Sequence, residues 1–390
     1  MNTKRNTTSA LIAAAMLMAI SAVGPGFLTQ TTVFTKSLGA SFGFVILLSI
    51  FIDIGVQLNI WRVLTLSGKR AQDVANRVLP GLGAVLSCLI VIGGLAFNIG
   101  NVAGAGLGLE ALVGLDVTTG SVIAAGIAIA VFANRQAGQV MDRFTQLMGI
   151  IMILAIIYIA FVAKPPVAEA ALRTIAPSTI DFMAIVTLVG GTVGGYITFA
   201  GGHRLIDAGV VGKESLPEVN RSAVMGISVA STIRIFLFLA SLGIISQGMA
   251  IDDTNPTGSV FQLAAGEFGY RLFGLVMFAA AVTSVIGSAY TSVSFVKSFS
   301  PFIQRNENWI IIAFIVISTC IFVAVGRPVK LLILAGAVNG IILPLSLIVM
   351  LIAAYKKDIV GSYKQPLLLT CIGVVIVVAM TWMSLRILLG

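Results

Sequence analysis

The sequence predicts an all-α protein that crosses a membrane about eleven times, with breaks in the first and sixth spans. Hydrophobic residues make up 58% of the 390-residue chain and charged residues only 10%, and the mean hydropathy is +1.06. A soluble fold of this length cannot bury so much apolar surface. Gly24-Pro25-Gly26 and three glycine pairs between Thr187 and Arg204 interrupt two of the hydrophobic segments. Broken helices at bilayer depth are tolerated where they line a buried or wet cavity, so these breaks favour an inverted-repeat secondary transporter.

Eleven hydrophobic segments are long enough to cross about 30 Å of hydrocarbon, although the fourth is short. They cover residues 9–35, 40–61, 80–109, 118–133, 145–163, 181–202, 222–248, 270–296, 308–325, 331–354 and 367–388. The first segment follows Lys4 and Arg5 but continues past Pro25 without a cleavage site, so we expect a retained span rather than a signal peptide. We expect one transmembrane domain over residues 1–390. Its parts are repeat one (9–163), repeat two (181–354) and an extra C-terminal helix (367–388).

Basic residues in the loops predict the orientation. Sixteen of the 24 lysines and arginines fall in loops on one side, which the positive-inside rule assigns to the cytoplasm. We therefore expect a multi-pass protein of the cell membrane with a cytoplasmic N-terminus and an external C-terminus. The same loops account for the net charge of +9, so the lipid bilayer is the expected partner and nucleic acid is not. No protein partner is inferred.

The sequence gives little support to catalysis or to a resident cofactor. Cys88, Cys320 and Cys371 lie in apolar runs without metal-ligand spacing, and we expect them to be packing residues. No span carries a zinc-protease or serine-hydrolase motif, and the loops are too short for a soluble catalytic domain. No nucleotide-binding motif is present, so H⁺ or Na⁺ is the expected source of energy. A channel or receptor and a membrane-embedded enzyme are the alternative classes.

Glycine backbone and hydroxyl groups dominate the two predicted breaks. Half-helix N-termini present unpaired N–H groups and a positive dipole end, which suits the carboxylate of a small organic or amino-acid-like solute. The alternative is that these residues only pack membrane helices together and bond to their own backbone. The candidate substrate-binding residues are Gly24, Gly26, Thr29, Gln30, Thr31, Gly194, Gly195, Tyr196, Thr198, Asn98, Asn101 and Asn339.

Three ionisable residues are candidates for coupling or gating. Asp53 and Arg234 lie inside predicted spans, where a charge is costly unless it faces protein or water. Asp53 is a candidate proton or Na⁺ site, and Arg234 is a candidate anion contact. Alternatively, the two residues form a fixed structural pair. His203 is the only histidine and is expected near the cytoplasmic end of the sixth span, where a helix-terminal or gating role fits better than a ligand role.

Several stretches, taken in order, resemble the NRAMP (natural resistance-associated macrophage protein) family of metal transporters. They are LTLSGKRAQDVA (64–75), NVAGAGLGLEALVGL (101–115), DRFTQLMGIIM (142–152) and LLILAGAVNGIILPLSLI (331–348). This resemblance implies the five-plus-five inverted repeat of the amino acid-polyamine-organocation superfamily, the LeuT-like fold.

The resemblance also shows where this chain departs from the family. Gly24-Pro25-Gly26-Phe27 stands where relatives have the metal-binding Asp-Pro-Gly-Asn; in another register that motif is deleted. Gly194-Gly195-Tyr196 follows Thr192-Val193, where relatives have Met-Pro-His. Gly336 occupies the position of a metal-binding Gln, and Asn98 and Asn101 replace two acids associated with proton movement.

These absences weaken a site for dehydrated Mn²⁺ or Fe²⁺, because carboxylates and carbonyls must replace the lost hydration of a divalent cation. We therefore expect no metal ligands among the side chains. Transport of a divalent metal, including hydrated Mg²⁺ held by backbone carbonyls, remains the alternative to an organic solute.

Overall fold

The structure is a computed structural model that describes residues 23–389. Within them the chain is helical, and the helices are numbered in chain order. They are α1 (Pro25–Leu38), α2 (Phe42–Ser67), α3 (Ala71–Val78), α4 (Leu82–Val113), α5 (Val117–Ala133), α6 (Arg135–Val162), α7 (Val167–Ile175), α8 (Phe182–Thr192), α9 (Tyr196–Asp207), α10 (Leu216–Ser246), α11 (Pro256–Val296), α12 (Pro301–Arg305), α13 (Glu307–Val325), α14 (Pro328–Ala353), α15 (Lys357–Val360) and α16 (Leu367–Leu389).

The predicted hydrophobic segments coincide with these helices. In the described chain, eight helical stretches are long and apolar enough to cross a membrane, and one bent pair, Leu147–Val162 with Val167–Ile175, raises the number to nine. One of the eight, Pro25–Ser67, contains both α1 and α2, which the short 3₁₀ turn Gly39–Ser41 separates. The fourth predicted span is the shorter apolar helix α5. The first predicted segment covers residues 9–35, and its part before Val23 lies outside the described residues.

The sixth span is broken at one of its three glycine pairs. α8 ends at Thr192, and α9 begins at Tyr196 after Gly195, whose φ of 53° and ψ of −129° are accessible mainly to glycine. The pair 190/191 lies inside α8, and the pair 201/202 lies inside α9. Gly201 and Gly202 pack against Trp61 and Leu64 of α2, so they allow close packing rather than a break.

The first span is described from its C-terminal half. α1 begins at Pro25, with Gly24 as its N-cap, and its first turn is buried. Proline at N1 suits a helix start because this position has no intrahelical partner for its N–H group. The expected break before α1 stays a prediction, because the residues that precede it lie outside the described chain.

The eighth span begins earlier than predicted. α11 starts at Pro256 after Asn255, whose side chain accepts a hydrogen bond from the N–H group of Gly258 over 3.2 Å. The helix is then interrupted at Ala265 and Gly266, where Gly266 has a φ of 64°. Hydropathy predicts only the segment after this kink, because the capped N-terminal part carries polar residues that shorten the apolar window.

Contacts between loops agree with the predicted alternation of spans. On one side, Ser41 and Ser178 join their hydroxyls over 2.8 Å, and Lys36 forms an ion pair with Asp253 over 2.6 Å. On the other side, Arg70 forms an ion pair with Asp207 over 2.9 Å. Each pair connects loops that the positive-inside rule assigns to the same side of the membrane.

The outer surface of the bundle is apolar and carries the cysteines. Phe161, Trp309 and Leu367 are more than 70% exposed, as expected for side chains that face lipid. Cys88, Cys320 and Cys371 are also exposed, so the prediction that they are packing residues does not hold within the bundle. In a bilayer both faces of a helix are apolar, and hydropathy alone does not distinguish the lipid-facing side.

Candidate functional site

The start of α1 and the break in the sixth span both contact α4. A Cβ atom added to Gly24 would lie 3.8 Å from Oδ1 of Asn101 and 3.4 Å from Oγ of Ser284, so α1 begins between α4 and α11. At the break in the sixth span, the ring of Tyr196 packs edge-on against Phe97, with 5.4 Å between centroids. The start of α1 and the start of α9 thus share α4 as a common neighbour.

The two asparagines of α4 are buried and incompletely hydrogen-bonded. Asn98 donates from Nδ2 to the carbonyl of Val285 over 3.3 Å, but its Oδ1 has no partner. Asn101 interacts with the hydroxyl of Tyr196, and its Nδ2 has no partner. A buried amide group without a partner is costly. Both residues therefore retain hydrogen-bonding capacity near the start of α1 and the break in the sixth span.

Gln30 fills the space between α1, α8 and α14. Its Nε2 donates to the carbonyl of Leu332 over 2.9 Å, and its Oε1 is buried without a partner. A Cβ atom on Gly336 would approach Nε2 of Gln30 to 2.5 Å, and one on Gly191 would approach Oε1 to 2.6 Å. The side chain of Gln30 therefore occupies the space that a longer residue at position 336 would need.

Asn339 of α14 packs directly against the break. Its Nδ2 donates to the carbonyls of Gly93, over 2.9 Å, and of Ala335, over 2.8 Å, whereas its Oδ1 has no partner. A Cβ atom at Gly195 would collide with Oδ1 of Asn339, and one at Gly194 would come within 2.9 Å of the Asn339 carbonyl. The positive φ and the close approach both require glycine at position 195.

Arg234 of α10 lies beside the same break and is 2% exposed. Its Nη1 donates a hydrogen bond to Oγ1 of Thr192 over 2.9 Å, and its Cζ lies 4.0 Å above the ring of Phe27 in the first turn of α1. The Nε and Nη2 atoms have no hydrogen-bond partner. Arg234 therefore contacts the end of α8 and the start of α1 while keeping two donors free.

Asp53 of α2 is the second buried charge at this point, with 1% exposure. Thr192 and Arg234 are the side chains that act on its carboxyl group, but neither of its oxygens has a hydrogen-bond partner. Asp53 and Arg234 form no direct ion pair, but each acts electrostatically on the other, so a fixed structural pair stays an alternative. Both residues are close to the hydroxyl of Thr192.

The remaining candidate residues differ in whether their polar side-chain atoms have hydrogen-bond partners. Thr31 donates its hydroxyl hydrogen to the carbonyl of Phe27 over 2.7 Å, which is the backbone bonding expected of a packing residue. Thr29 is buried in α1, and Gly26 has room for a methyl group at ordinary contact distances. In contrast, Oγ1 of Thr198 is buried without a partner in the first turn of α9.

His203 lies away from the break and contacts the start of α3. Its Nε2 accepts a hydrogen bond from the backbone N–H group of Ala71, the first residue of α3, over 3.1 Å. Its ring packs against Phe295, with 5.1 Å between centroids. The structure thus places His203 near the predicted cytoplasmic end, in contact with a helix N-terminus.

Two residues at the site were not recognised from the sequence. Thr192 was noted only as part of a motif, and Phe27 only as a departure from one. The signal for Thr192 is its position. It is the last helical residue before an unwound glycine pair, where a hydroxyl can reach neighbouring helices. No local signal identifies Phe27 as the partner of an arginine so distant in the sequence. Among residues 23–389, no group of three or more His, Cys, Asp or Glu side chains could hold a metal ion.

A bundle of apolar helices, a sixth span broken at Gly195 and buried polar groups around that break define a membrane transporter with the five-plus-five inverted-repeat fold. Residues 15–390 match the Nramp family, described as natural resistance-associated macrophage protein-like. The chain belongs to this family.

Relatives and solved structures agree with this assignment. The uncharacterized membrane protein YcsG of Bacillus subtilis (strain 168) is 58% identical over 98% of this chain and 95% of its own length. An uncharacterized membrane protein of Haemophilus influenzae is 56% identical over 96% of this chain and 95% of its own length.

Among solved structures, a point mutant of a manganese transporter of Eremococcus coleocola superposes with a TM-score of 0.74 at 15% identity, covering 97% of this chain and 86% of that one. MhsT in complex with L-phenylalanine superposes with a TM-score of 0.60 at 16% identity, covering 97% of both chains. At these identities the likeness concerns the fold alone.

Proposed function

We propose that this chain is an ion-coupled secondary transporter that moves a small organic carboxylate across the cell membrane. The observation that carries the proposal is the buried guanidinium of Arg234, which lies between the start of α1 and the break in the sixth span with two donors unused. The proposal includes a cytoplasmic N-terminus and an external C-terminus, as the basic loops predict.

The free donors of Arg234 suit a carboxylate. Nε and Nη2 lie along one edge of the guanidinium group, and their N–H bonds point in the same direction. Two carboxylate oxygens match this edge with two parallel hydrogen bonds, which are stronger than bonds between neutral groups. The third contact, from Nη1 to Thr192, fixes the orientation of the guanidinium group.

The helix ends add to this preference for an anion. α1 and α9 begin at Gly24 and Gly195 respectively, and neither N-cap forms a side-chain hydrogen bond. The N-cap glycines therefore offer no side-chain acceptor to the first backbone N–H groups, and the dipole of each helix favours negative charge at this end. A carboxylate bound there would supply the acceptor that the N-cap glycines lack.

Neutral polar atoms around the breaks favour a solute that carries further hydrogen-bonding groups. Five buried atoms have no partner: Oε1 of Gln30, Oδ1 of Asn98, Nδ2 of Asn101, Oγ1 of Thr198 and Oδ1 of Asn339. They include both acceptors and donors, so they can bind hydroxyl, carbonyl or amide groups. This mixture supports a hydroxy-acid, keto-acid or amino-acid-like carboxylate.

A divalent metal is the alternative substrate. It is favoured by the fold, which this chain shares with the manganese transporter of Eremococcus coleocola. The side chains at the site oppose it: Arg234 repels a cation, and Asp53 is the one acid of the described chain that acts on Arg234. Among divalent metals, hydrated Mg²⁺ held by backbone carbonyls needs the fewest protein ligands, because this ion keeps several of its waters.

Uptake by purified protein in liposomes tests the proposal. Radiolabelled lactate, pyruvate and N-acetylglycine are compared with radiolabelled Mn²⁺, using liposomes without protein as the control for leakage. We expect saturable uptake of at least one carboxylate, and faster exchange when the same compound is present inside, which separates a carrier from a channel. Saturable uptake of Mn²⁺ without uptake of any carboxylate would contradict the proposal.

A further inference from the structure

The two buried charges at the break balance each other. Asp53 and Arg234 are 1% and 2% exposed, and both are close to Thr192. When both are ionised, their charges sum to zero. Burying a net charge is expensive in a low-dielectric interior. The charge of any ligand that binds here must therefore be compensated within the site.

Asp53 is poorly stabilised as an anion by its neighbours. The hydroxyl hydrogen of Thr192 is donated to the carbonyl of Leu188 over 2.8 Å, and its oxygen accepts the bond from Arg234. Thr192 also acts on Asp53, but its single hydroxyl hydrogen is already donated to the Leu188 carbonyl, and neither oxygen of Asp53 has a partner at hydrogen-bond distance. A buried carboxylate with so few donors retains its negative charge mainly through the nearby guanidinium group of Arg234.

We propose that Asp53 takes up one proton for each carboxylate that binds to Arg234, so that the transporter is an electroneutral one-to-one symporter of protons and monocarboxylates. This inference rests on the proposed function. A carboxylate at Arg234 neutralises the guanidinium group and leaves the site with a net charge of −1. An O–H bond formed between Asp53 and a proton from water on one side restores neutrality, and the bond breaks when the proton leaves on the other side.

The coupling follows from linkage between the two sites. A bound carboxylate favours protonation of Asp53, and by reciprocity a protonated Asp53 favours the binding of the carboxylate. A zwitterionic amino acid brings no net charge to the site. Its binding therefore should not lead Asp53 to take up a proton. Monocarboxylates and zwitterions therefore differ in their expected stoichiometry.

A proton fits this position better than Na⁺. A hard cation needs several oxygen ligands, whereas Thr192 is the one hydroxyl that acts on Asp53, and it faces Arg234. No other charged group of the described chain acts on Asp53. On the helices packed against α2, the charged residues other than Arg234 lie in first or last turns, except Arg221 in the second turn of α10. They are Lys36, Asp73, Arg77, Glu169, Arg173, Arg204, Asp207, Glu218, Lys330, Lys357, Asp358 and Arg386. His203 is bonded to Ala71.

The experiment uses wild-type protein in liposomes that contain a pH-sensitive dye and a K⁺ gradient with valinomycin to set the voltage. The probes are lactate, pyruvate and N-acetylglycine, with glycine as the zwitterion. We expect one proton to enter per carboxylate, accumulation of about tenfold for each unit of pH difference, and no response to voltage. Glycine, if it is carried, should move without a proton.

Asp53→Asn isolates the proposed proton site. In this variant the site binds the carboxylate without a proton, so uptake should lose its response to the pH gradient and gain a response to voltage. Asp73→Asn, an exposed acid on α3, is the matched control and should behave as wild type. If Asp53→Asn fails to fold, the stoichiometry and voltage response of the wild type still decide the question.

The outcomes separate the two proposals. Carboxylate uptake that carries current, or that proceeds without protons, would overturn the symport inference and leave the proposed substrate intact. Wild-type coupling that persists in Asp53→Asn would exclude Asp53 as the proton site. The absence of carboxylate uptake under any gradient would overturn the proposed function and, with it, this inference.

Discussion

Arg234 donates a hydrogen bond from Nη1 to Oγ1 of Thr192 over 2.9 Å, and Thr192 is the last helical residue before the break in the sixth span. The bond joins α10 to the C-terminal end of α8. A movement of α8 against α10 would change the position of the guanidinium group, so the site and the break are mechanically connected. Asp53 lies close to both partners.

The hydroxyl of Thr192 is therefore expected to orient Arg234. Thr192→Val keeps the shape of the side chain and removes the acceptor. A hydrogen bond to a charged group contributes about 1.5–3 kcal/mol, so we expect carboxylate affinity to fall by about 10–100-fold. Titration of the purified variants with the carboxylate identified by uptake measures this change. Thr192→Ser should restore most of the affinity; equal binding by the Val variant and the wild type would refute the orienting role.

Gly195 and Gly26 should respond differently to the same substitution. Gly195→Ala forces a β-carbon into a positive-φ position, where it collides with Asn339, and we expect loss of transport together with lower stability. Gly26→Ala adds a methyl group 3.4 Å from Nε2 of Gln30, an ordinary contact, and should remain folded. Thermal unfolding and uptake of both variants test this contrast. Wild-type uptake by Gly195→Ala would place the site elsewhere.

A side chain at position 336 should be excluded by Gln30. Gly336→Ala places a β-carbon 2.5 Å from Nε2 of Gln30 and 2.6 Å from the carbonyl of Thr187. Overpacking of this kind costs about 1–3 kcal/mol, so the apparent melting temperature should fall measurably. Gly287→Ala is the control, because its added methyl group meets no neighbour. Gly336→Gln should likewise not create a Mn²⁺ site; stabilisation of that variant by Mn²⁺ would show that the space is available.

His203 should hold the start of α3 in place. His203→Ala removes the acceptor for the Ala71 N–H group, a loss of about 1–3 kcal/mol for a buried donor. Hydrogen exchange followed by mass spectrometry should show faster exchange in residues 71–78, with little change around Gly195. Unchanged exchange in α3 would mean that the contact does not hold this helix, and altered exchange at Gly195 would indicate a role at the break itself.

The sequence predicts the helices and the break better than it predicts the partners of individual side chains. The unwound pair at Gly194 and Gly195 is a local feature, because a glycine pair in an apolar segment weakens the helix where it stands. The bond between Arg234 and Thr192 is not local, because it joins two helices across 42 positions. The register between helices that creates it depends on packing of the whole bundle.

The same reasoning explains two other differences. The cysteines were interpreted as packing residues because an apolar run in a membrane helix has both a lipid face and a protein face, and composition does not separate them. The start of α11 was missed because its first turns depend on the Asn255 cap rather than on hydropathy. The orientation and the boundaries of the two repeats stay predictions.

Ligand-induced thermal stabilisation of the purified protein, compared between wild type and Arg234→Gln, tests the role of Arg234 most directly, since a ligand of the folded state raises the melting temperature. The panel contains small carboxylates, amino acids, Mg²⁺ and Mn²⁺, and Arg271→Gln, an exposed residue paired with Glu267, is the control. We expect a saturable shift with a carboxylate that persists in Arg271→Gln and is lost in Arg234→Gln. A shift with Mg²⁺ or Mn²⁺ alone, equal in wild type and Arg234→Gln, would contradict a carboxylate site at Arg234.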